Sequence, residues 1–293
     1  METKFSADRE NTENEPARII MIDLARHSFK TKLADGREPL AEGGMEAAVQ
    51  EALKNPTDIP VGKIFGSPRE RTGQSSAARM FAEQLKEANF AGGDPEEFVR
   101  WLQDGGLEKT ETPFLNFELG EGEYTTQLRD SVVKNNCLQW LVEKSEKAAL
   151  DLKQDPKKVT PLCVQAGNVA KFFWAQAWLG YEDLKKGENL DQKMDFATSH
   201  QGVLESFLYK VIEKQDGAEA AAQFVQSLPA GGFAENQGFR AEVEILDKDD
   251  LDKWQVVIDY AGKKYLVLPA DLQELMTAGD EFKKQLADNL SVK

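Results

Sequence analysis

The chain has 293 residues, of which 41% are apolar and 30% are charged, a composition typical of globular proteins rather than disordered ones. Its 36 basic and 51 acidic side chains give a formal net charge of −15. Such a surface repels nucleic acid and anionic lipid, because both are bound through clustered lysine and arginine. A small anionic ligand is compatible with this charge only where a pocket is locally positive.

No apolar run approaches the roughly 18 residues that span a bilayer. The N-terminal segment lacks the apolar core of a secretory signal. We therefore predict a disordered tail over residues 1–16, no membrane partner and a cytoplasmic location. Cys137 and Cys163 form no CxxC pair, and we expect both to be buried free thiols.

Apolar patterning predicts three units, each made of a strand, a turn and a helix. The first strand is nearly continuous in its apolar residues, as in a parallel sheet that is covered on both faces. The three strands are predicted at 19–25, 61–65 and 194–199, and the helices that follow them at 45–53, 72–88 and 203–214.

The segment between the second and third units is mostly helical, and we predict an inserted helical cap over residues 96–190. Its long helices are predicted at 131–152 and 164–184, with a short strand just after Thr160 as an open alternative. The chain then continues with a strand at 241–246, a β-hairpin of 254–260 and 265–268, and a helix at 270–286 interrupted at Gly279.

This order predicts an α/β fold, with a mainly parallel doubly wound sheet, an inserted α-helical cap and an antiparallel edge hairpin. We expect residues 17–293 to form a single domain.

Chemistry-bearing side chains follow each of the three predicted strands. Arg26 and His27 follow the first, Arg71 comes soon after the second, and His200 follows the third. Ligands of open α/β sheets bind beyond the carboxyl ends of the strands. Both histidines of the chain take such positions, so we predict that these residues form one site.

Four segments between positions 24 and 203 resemble the motifs of the histidine phosphatase superfamily, which contains the phosphoglycerate mutases and many phosphatases. They come in the order of that family. The segment 24–28 is similar to its Arg-His-Gly signature, 39–44 to its Leu-Thr-x-x-Gly, 67–75 to its Ser-Pro-x-x-Arg-x-x-Gln-Thr, and 198–203 to its second-histidine segment.

The resemblance implies hydrolysis of a small phosphorylated metabolite, with His27 as the nucleophile that carries the phosphoryl group. Arg26 and Arg71 would bind the phosphoryl oxygens, since a planar guanidinium binds phosphate bidentately and this reaction depends on charge stabilisation. His200 would donate to a further oxygen. His27 must attack as the neutral imidazole. No metal and no other cofactor is expected, because the arginines supply the positive charge.

The general acid is not fixed by these motifs. Some family members use an Asp directly after the second histidine, where this chain has Gln201. Others use a Glu after the second arginine motif, and the segment 115–123 resembles that region. Glu118 and Glu121 are therefore the predicted acids, with Glu118 favoured because its apolar neighbours would desolvate it and raise its pKa. Either is alternatively a surface carboxylate.

Three further residues are predicted at the substrate. Ser28 and Gln201 replace glycines of the family motifs, and Lys30 points either to the substrate or to solvent. Other interpretations stay open: a mutase that returns the phosphoryl group to its substrate, a catalytically inactive member that binds phosphate or a protein partner, or an α/β scaffold with chance motif matches. The sequence specifies neither the substrate nor the oligomeric state.

Overall fold

The computed structural model describes residues 16–28, 30–34, 38–41, 43–54, 59, 61–87, 110–187, 193–229 and 231–291. All but the last residue of the tail predicted at 1–16 lies outside these ranges. Both ends of the cap predicted at 96–190 do so as well, so its boundaries stay a prediction.

The described residues form one seven-stranded sheet in the order β3-β2-β4-β1-β5-β6-β7. The strands are β1 (Arg18–Arg26), β2 (Val61–Gly66), β3 (Thr110–Glu111), β4 (Lys193–Ser199), β5 (Gly238–Ile245), β6 (Trp254–Tyr260) and β7 (Lys263–Val267). Strands β3, β2, β4 and β1 are mutually parallel, whereas β5, β6 and β7 each run antiparallel to the preceding neighbour. The predicted α/β class is confirmed, and the antiparallel part includes β5 in addition to the predicted hairpin.

Helices cover the sheet on both faces. They are α1 (Gly44–Lys54), α2 (Glu70–Glu87), α3 (Gly122–Val133), α4 (Cys137–Trp140), α5 (Glu146–Asp151), α6 (Leu162–Lys185), α7 (Val203–Asp216), α8 (Ala218–Ser227) and α9 (Pro269–Ser291). A π-helical turn, Leu141–Ser145, joins α4 to α5.

Alternate residues of the strands enter two separate apolar clusters. Ile64 of β2 packs with residues of α1 and α2, while its neighbour Phe65 makes an edge-to-face contact with Phe172 of α6 on the other side. This alternation is the period-two pattern of a strand buried on both faces. It explains the nearly continuous apolar run that predicted a doubly wound sheet.

The segment predicted as a cap divides into two parts. Helix α6 packs on the sheet and against α7 and α9, as the Phe65–Phe172 contact shows, so it is a core helix. Helices α3 to α5 instead lie beside the loops at the strand ends, where Leu138 donates its N–H to Gly231 O at 2.7 Å.

Two expectations about individual elements are wrong, and one alternative that the sequence left open is excluded. The helix predicted at 131–152 is broken at 134–136, where Asn135 takes a positive φ of 54°, a conformation that asparagine tolerates. No strand follows Thr160, because α6 begins at Leu162. Helix α9 runs through Gly279 without a break, because that glycine is a packing residue: a Cβ there would lie 3.1 Å from Cys163 O of α6.

Cys137 and Cys163 are free, as predicted, although only Cys137 is fully buried. None of the helices that the structure describes has both the length and the apolar character needed to cross a membrane.

Candidate active site

Three parallel strands end at the same edge of the sheet and place the predicted residues there. Strand β4 lies between β1 and β2, with Arg26 of β1 in register with Ser199 of β4. The N–H of His27 donates to Ser199 O at 2.9 Å, which continues the sheet one residue further. His27, His200 and Ser67 therefore follow neighbouring strands.

His27 is buried and its ring is fixed by two hydrogen bonds. Its Nδ1 lies 2.6 Å from Ser28 O. A carbonyl oxygen can only accept, so Nδ1 carries the proton and Nε2 keeps its lone pair. That lone pair accepts a hydrogen bond from Arg71 Nε at 3.1 Å.

The guanidinium of Arg71 joins three groups. Arg71 stands in the first turn of α2 and is 8% exposed. Besides His27, it contacts His200 Nδ1 through Nη2 at 3.4 Å and the Glu38 carboxylate through Nη1 at 2.7 Å. The structure thus brings His27, Arg71 and His200 together, as predicted, and adds Glu38.

His200 takes the opposite tautomer to His27. A guanidinium only donates, so Nδ1 of His200 is the accepting nitrogen and Nε2 carries the proton. That Nε2 lies 2.8 Å from Ser67 Oγ. The two imidazole rings are 5.3 Å apart, centroid to centroid, in an edge-to-face arrangement.

Both histidines are held neutral. Burial is the main cause that lowers the pKa of His27 to about 3, and the charges of Arg71 and Arg26 add to the effect, against the hydrogen bond to Ser28. Burial likewise places the pKa of His200 well below its ordinary value, with His27 and Arg71 as further causes. At pH 7 the His27 Nε2 lone pair is therefore available.

Arg26 is close enough to act on His27 through its charge, but its hydrogen bonds lead elsewhere. Its Nη1 donates to Phe233 O at 2.7 Å, and its Nη2 pairs with Glu235 at 2.9 Å. We call the segment 231–235 the arginine-anchoring loop. The guanidinium of Arg26 points to this loop, whereas that of Arg71 contacts both imidazoles.

The three other residues predicted at the substrate have different surroundings. Ser28 is fully buried, its N–H donates to Ser75 Oγ at 3.0 Å, and its hydroxyl accepts from Asn236 at 3.1 Å. Lys30 is 45% exposed and pairs with Glu38 at 3.1 Å. Gln201 packs on the arginine-anchoring loop, where a Cβ on Gly232 would lie 2.8 Å from its Cγ. Ser28 therefore supports His27 through its carbonyl, and its hydroxyl is bonded to Asn236.

The two predicted acids are not among the contacts of this cluster. Glu121 is exposed and pairs with Lys158 at 2.7 Å. Glu118 accepts from Asn116 and lines a separate cavity of about 430 Å³ together with Lys283. The structure therefore places neither carboxylate with His27, and the short motif that suggested them was too weak to locate an acid.

Two carboxylates at the site were not predicted. Glu38 lies in a polar stretch of the chain, and the sequence gives no signal for its contact with Arg71. Glu205 occupies the first turn of α7 and is fully buried. Its carboxylate accepts from Gly202 N–H at 2.9 Å and from Phe233 N–H at 2.6 Å, so it ties the turn after His200 to the arginine-anchoring loop.

Burial raises the pKa of Glu205 to about 7, although the N–H groups that it accepts from and the charge of Arg26 lower it. The one available sequence signal is its position three residues after Gly202, the spacing of a capping box.

The fold and this cluster define an α/β protein with a buried neutral imidazole beside cationic side chains at the carboxyl edge of its sheet. Within the described ranges, no group of three His, Cys, Asp or Glu side chains is arranged to hold a metal ion.

No family model matches the sequence, and no curated protein does. Several solved structures are similar in shape. A protein described as mycobacterial hydrolase 2 matches with a TM-score of 0.46 and 12% identity over 90% of this chain and 98% of its own. A mycobacterial glucosyl-3-phosphoglycerate phosphatase matches with a TM-score of 0.40 and 14% identity over 82% of this chain and 97% of its own. A phosphoglycerate mutase from Bacillus anthracis matches with a TM-score of 0.38 and 14% identity over 89% and 97%.

Proposed function

We propose that this chain is a phosphatase of the histidine phosphatase superfamily. It transfers the phosphoryl group of a small phosphorylated substrate to Nε2 of His27 and then to water. The observation that carries the proposal is the state of His27: its Nδ1 is bonded to Ser28 O, and its Nε2 lone pair faces Arg71 Nε at 3.1 Å.

A nucleophile must present a lone pair at the pH of the reaction. The pKa of about 3 keeps His27 neutral at pH 7, and the Ser28 carbonyl fixes the tautomer in which Nε2 is unprotonated. After attack, the ring carries a positive charge that the same carbonyl, still bonded to Nδ1–H, stabilises.

The cations of the site supply the charge stabilisation that phosphoryl transfer needs. Nε and Nη2 of Arg71 now face two unprotonated ring nitrogens. A phosphoryl group at His27 Nε2 would offer the same guanidinium edge stronger, charged acceptors. Arg26 adds long-range positive potential from the arginine-anchoring loop. We propose on this basis that the reaction needs no metal.

Charge and thiol content bear on the substrate class and the compartment. The net charge of −15 favours a small substrate over nucleic acid, because nucleic acid is bound through clustered lysine and arginine. The two free thiols favour a reducing compartment, and we propose a cytoplasmic enzyme.

The test is hydrolysis of p-nitrophenyl phosphate in excess chelator, with rapid acid and alkaline quenches to trap a labelled protein. We expect wild-type turnover with an acid-labile, alkali-stable label. In His27→Ala both the label and the turnover are lost, the latter by at least about a thousandfold. Circular dichroism checks that the variant is folded.

A matched pair of variants tests the role of Arg71. Arg71→Ala removes the guanidinium that contacts both imidazoles and should lower kcat/KM by at least about a hundredfold. Arg69→Ala, on the exposed turn before α2, should retain most of it. Label transferred back to an alcohol instead of water would identify a mutase. A folded wild type that binds vanadate but neither turns over nor becomes labelled would contradict the proposal and identify an inactive phosphate-binding member.

A further inference from the structure

Glu38 is held on the guanidinium that also contacts both imidazoles. One of its carboxylate oxygens accepts from Arg71 Nη1 at 2.7 Å and from Lys30 Nζ at 3.1 Å. Since Arg71 Nε contacts His27 Nε2, one planar group separates the carboxylate from the nucleophilic nitrogen. No other carboxylate is hydrogen-bonded to Arg71, His27 or His200 in the contacts between described residues.

Helix α2 fixes the position of this carboxylate. Gln74, one turn after Arg71, accepts the N–H of Leu40 at 2.9 Å. Thr31 N–H donates to Pro39 O at 3.0 Å, so the chain just before Glu38 and the chain just after it are hydrogen-bonded to each other. The segment that carries Glu38 is therefore attached to the same helix as Arg71. The Glu38 side chain is 32% exposed, so its carboxylate is open to solvent on one side of Arg71.

We propose that Glu38 is the proton donor to the leaving oxygen, and then the base that activates water. This inference rests on the proposed function and supplies the acid that Glu118 and Glu121 do not provide.

The charges around Glu38 change when substrate binds. In the free protein, partial burial acts to raise its pKa, but Lys30 and Arg71 outweigh this effect and hold the pKa below its ordinary value. A phosphoryl dianion on the Nε and Nη2 edge of Arg71 would neutralise part of the positive charge that Glu38 faces, and it would place negative charge beside the carboxylate. A weakened cationic partner and a new like charge both favour the protonated form. The other facing groups, His27 and His200, stay neutral. Glu38 would thus take up a proton as the substrate binds.

The two steps balance. In the first, the His27 Nε2–P bond forms and the bond from phosphorus to the leaving oxygen breaks. The proton of Glu38 goes to that oxygen, which leaves as an alcohol. In the second, water attacks phosphorus as its proton passes to Glu38, the N–P bond breaks, and inorganic phosphate leaves. Glu38 is protonated again for the next turnover.

The dependence of the rate on the leaving group tests this role. An acidic phenol leaves as its anion and needs no proton, whereas an alkoxide does. We expect Glu38→Gln to lower kcat/KM for an alkyl phosphate such as glycerol phosphate by about 10²–10³-fold. Formation of labelled protein from p-nitrophenyl phosphate should change by less than about tenfold. The variant should then accumulate label, because the base for the second step is missing.

The control is Glu213→Gln. Glu213 pairs with Lys210 at 2.8 Å and has a side-chain exposure of 34%, close to that of Glu38, but it lies on α7 away from the strand ends. The Glu213→Gln variant should leave kcat/KM for both substrates unchanged. An equal loss of kcat/KM on both substrates in Glu38→Gln, with a raised KM, would mean that Glu38 only anchors Arg71. Tighter phosphate binding in Glu38→Gln with an unchanged kcat would mean that Glu38 only competes with the substrate for Arg71. Either result overturns the proposal, while His27→Ala tests the proposed function separately.

Discussion

The two histidines differ in tautomer although they share one guanidinium. His27 is protonated on Nδ1 because that nitrogen faces a carbonyl, and His200 is protonated on Nε2 because its Nδ1 faces Arg71. One ring is thereby prepared to attack, and the other keeps its proton on the side of Ser67. The lowered pKa values of both rings preserve this arrangement near neutral pH.

This state can be observed by nitrogen-15 NMR of protein labelled on histidine. We expect neither native ring to titrate near the ordinary value of about 6.5, because burial keeps both neutral well below it. Two unlike tautomers should appear at pH 7. His27→Ala assigns the signals, since only His200 then remains. A midpoint near 6.5 for either ring would contradict the geometry.

At the scale of single residues, the sequence located the side chains that come just after a strand. His27, Arg71 and His200 could be found because apolar runs of strand length mark the sheet edge. Glu38 and Glu205 could not. The chain has 51 acidic residues, and nothing in the sequence distinguishes Glu38 from the others. The sequence around Glu205 is that of an ordinary helix. Its burial depends on two backbone N–H groups that need an acceptor, which only the folded chain brings together.

Among the elements, the arginine-anchoring loop connects two parts of the site. Both backbone polar groups of Phe233 are hydrogen-bonded. Its N–H donates to Glu205, in the first turn of α7, and its carbonyl accepts from Arg26, at the end of β1. The loop therefore links the turn after His200 to the guanidinium of Arg26.

A pair of glycine substitutions tests this loop. Gly231 has φ of +66°, and a Cβ there would lie 2.3 Å from the backbone carbon of Asn135. Gly262, in the β6–β7 turn, has φ of +77° and no heavy atom near its Cβ. Both alanine variants suffer backbone strain of about 1 kcal/mol, but only Gly231→Ala also displaces the loop.

In urea unfolding, we expect Gly231→Ala to be less stable than Gly262→Ala by about 1–3 kcal/mol. Gly231→Ala should also lower kcat/KM, because Arg26 shifts with the loop. Equal losses of stability in the two variants would mean that the arginine-anchoring loop accommodates the added methyl group without further destabilisation.

The elements that the sequence misplaced share a cause. Gly279 suggested a helix break, but the close approach of α6 requires a residue without a side chain there. Helix α6 resembled a cap helix because its position between two strands does not say which surface it covers. Periodicity gives the type of an element, and only packing gives its neighbours.

For the molecule as a whole, buried titratable groups give stability an uneven pH dependence. The native histidines bind fewer protons than unfolded ones below pH 6.5, so their effect is a loss of stability as the pH falls. Glu205 acts in the opposite direction. Its native pKa of about 7 lies above the ordinary 4.5, so its contribution to stability is lost as the pH rises from about 4.5 to 7.

Urea unfolding of wild type and Glu205→Gln at pH 5 and pH 8 isolates the contribution of Glu205 to stability, because the histidines contribute equally to both proteins. The neutral amide imitates the protonated acid. We expect the stability advantage of wild type over the variant to shrink by about 2–4 kcal/mol between the two values. A constant difference would show that Glu205 ionises in the native protein as it does in the unfolded chain.

The position of β4 between β1 and β2 has a consequence for biosynthesis. The first two strands are made early, yet neither is paired with the other, and the strand that joins them begins only at Lys193. A nascent chain that has emerged as far as α6 carries His27 just after β1 and Arg71 at the start of α2, but it lacks β4, the strand that lies between β1 and β2. During translation those apolar edges stay open to misassociation, and the pocket cannot assemble until residues near 200 have left the ribosome.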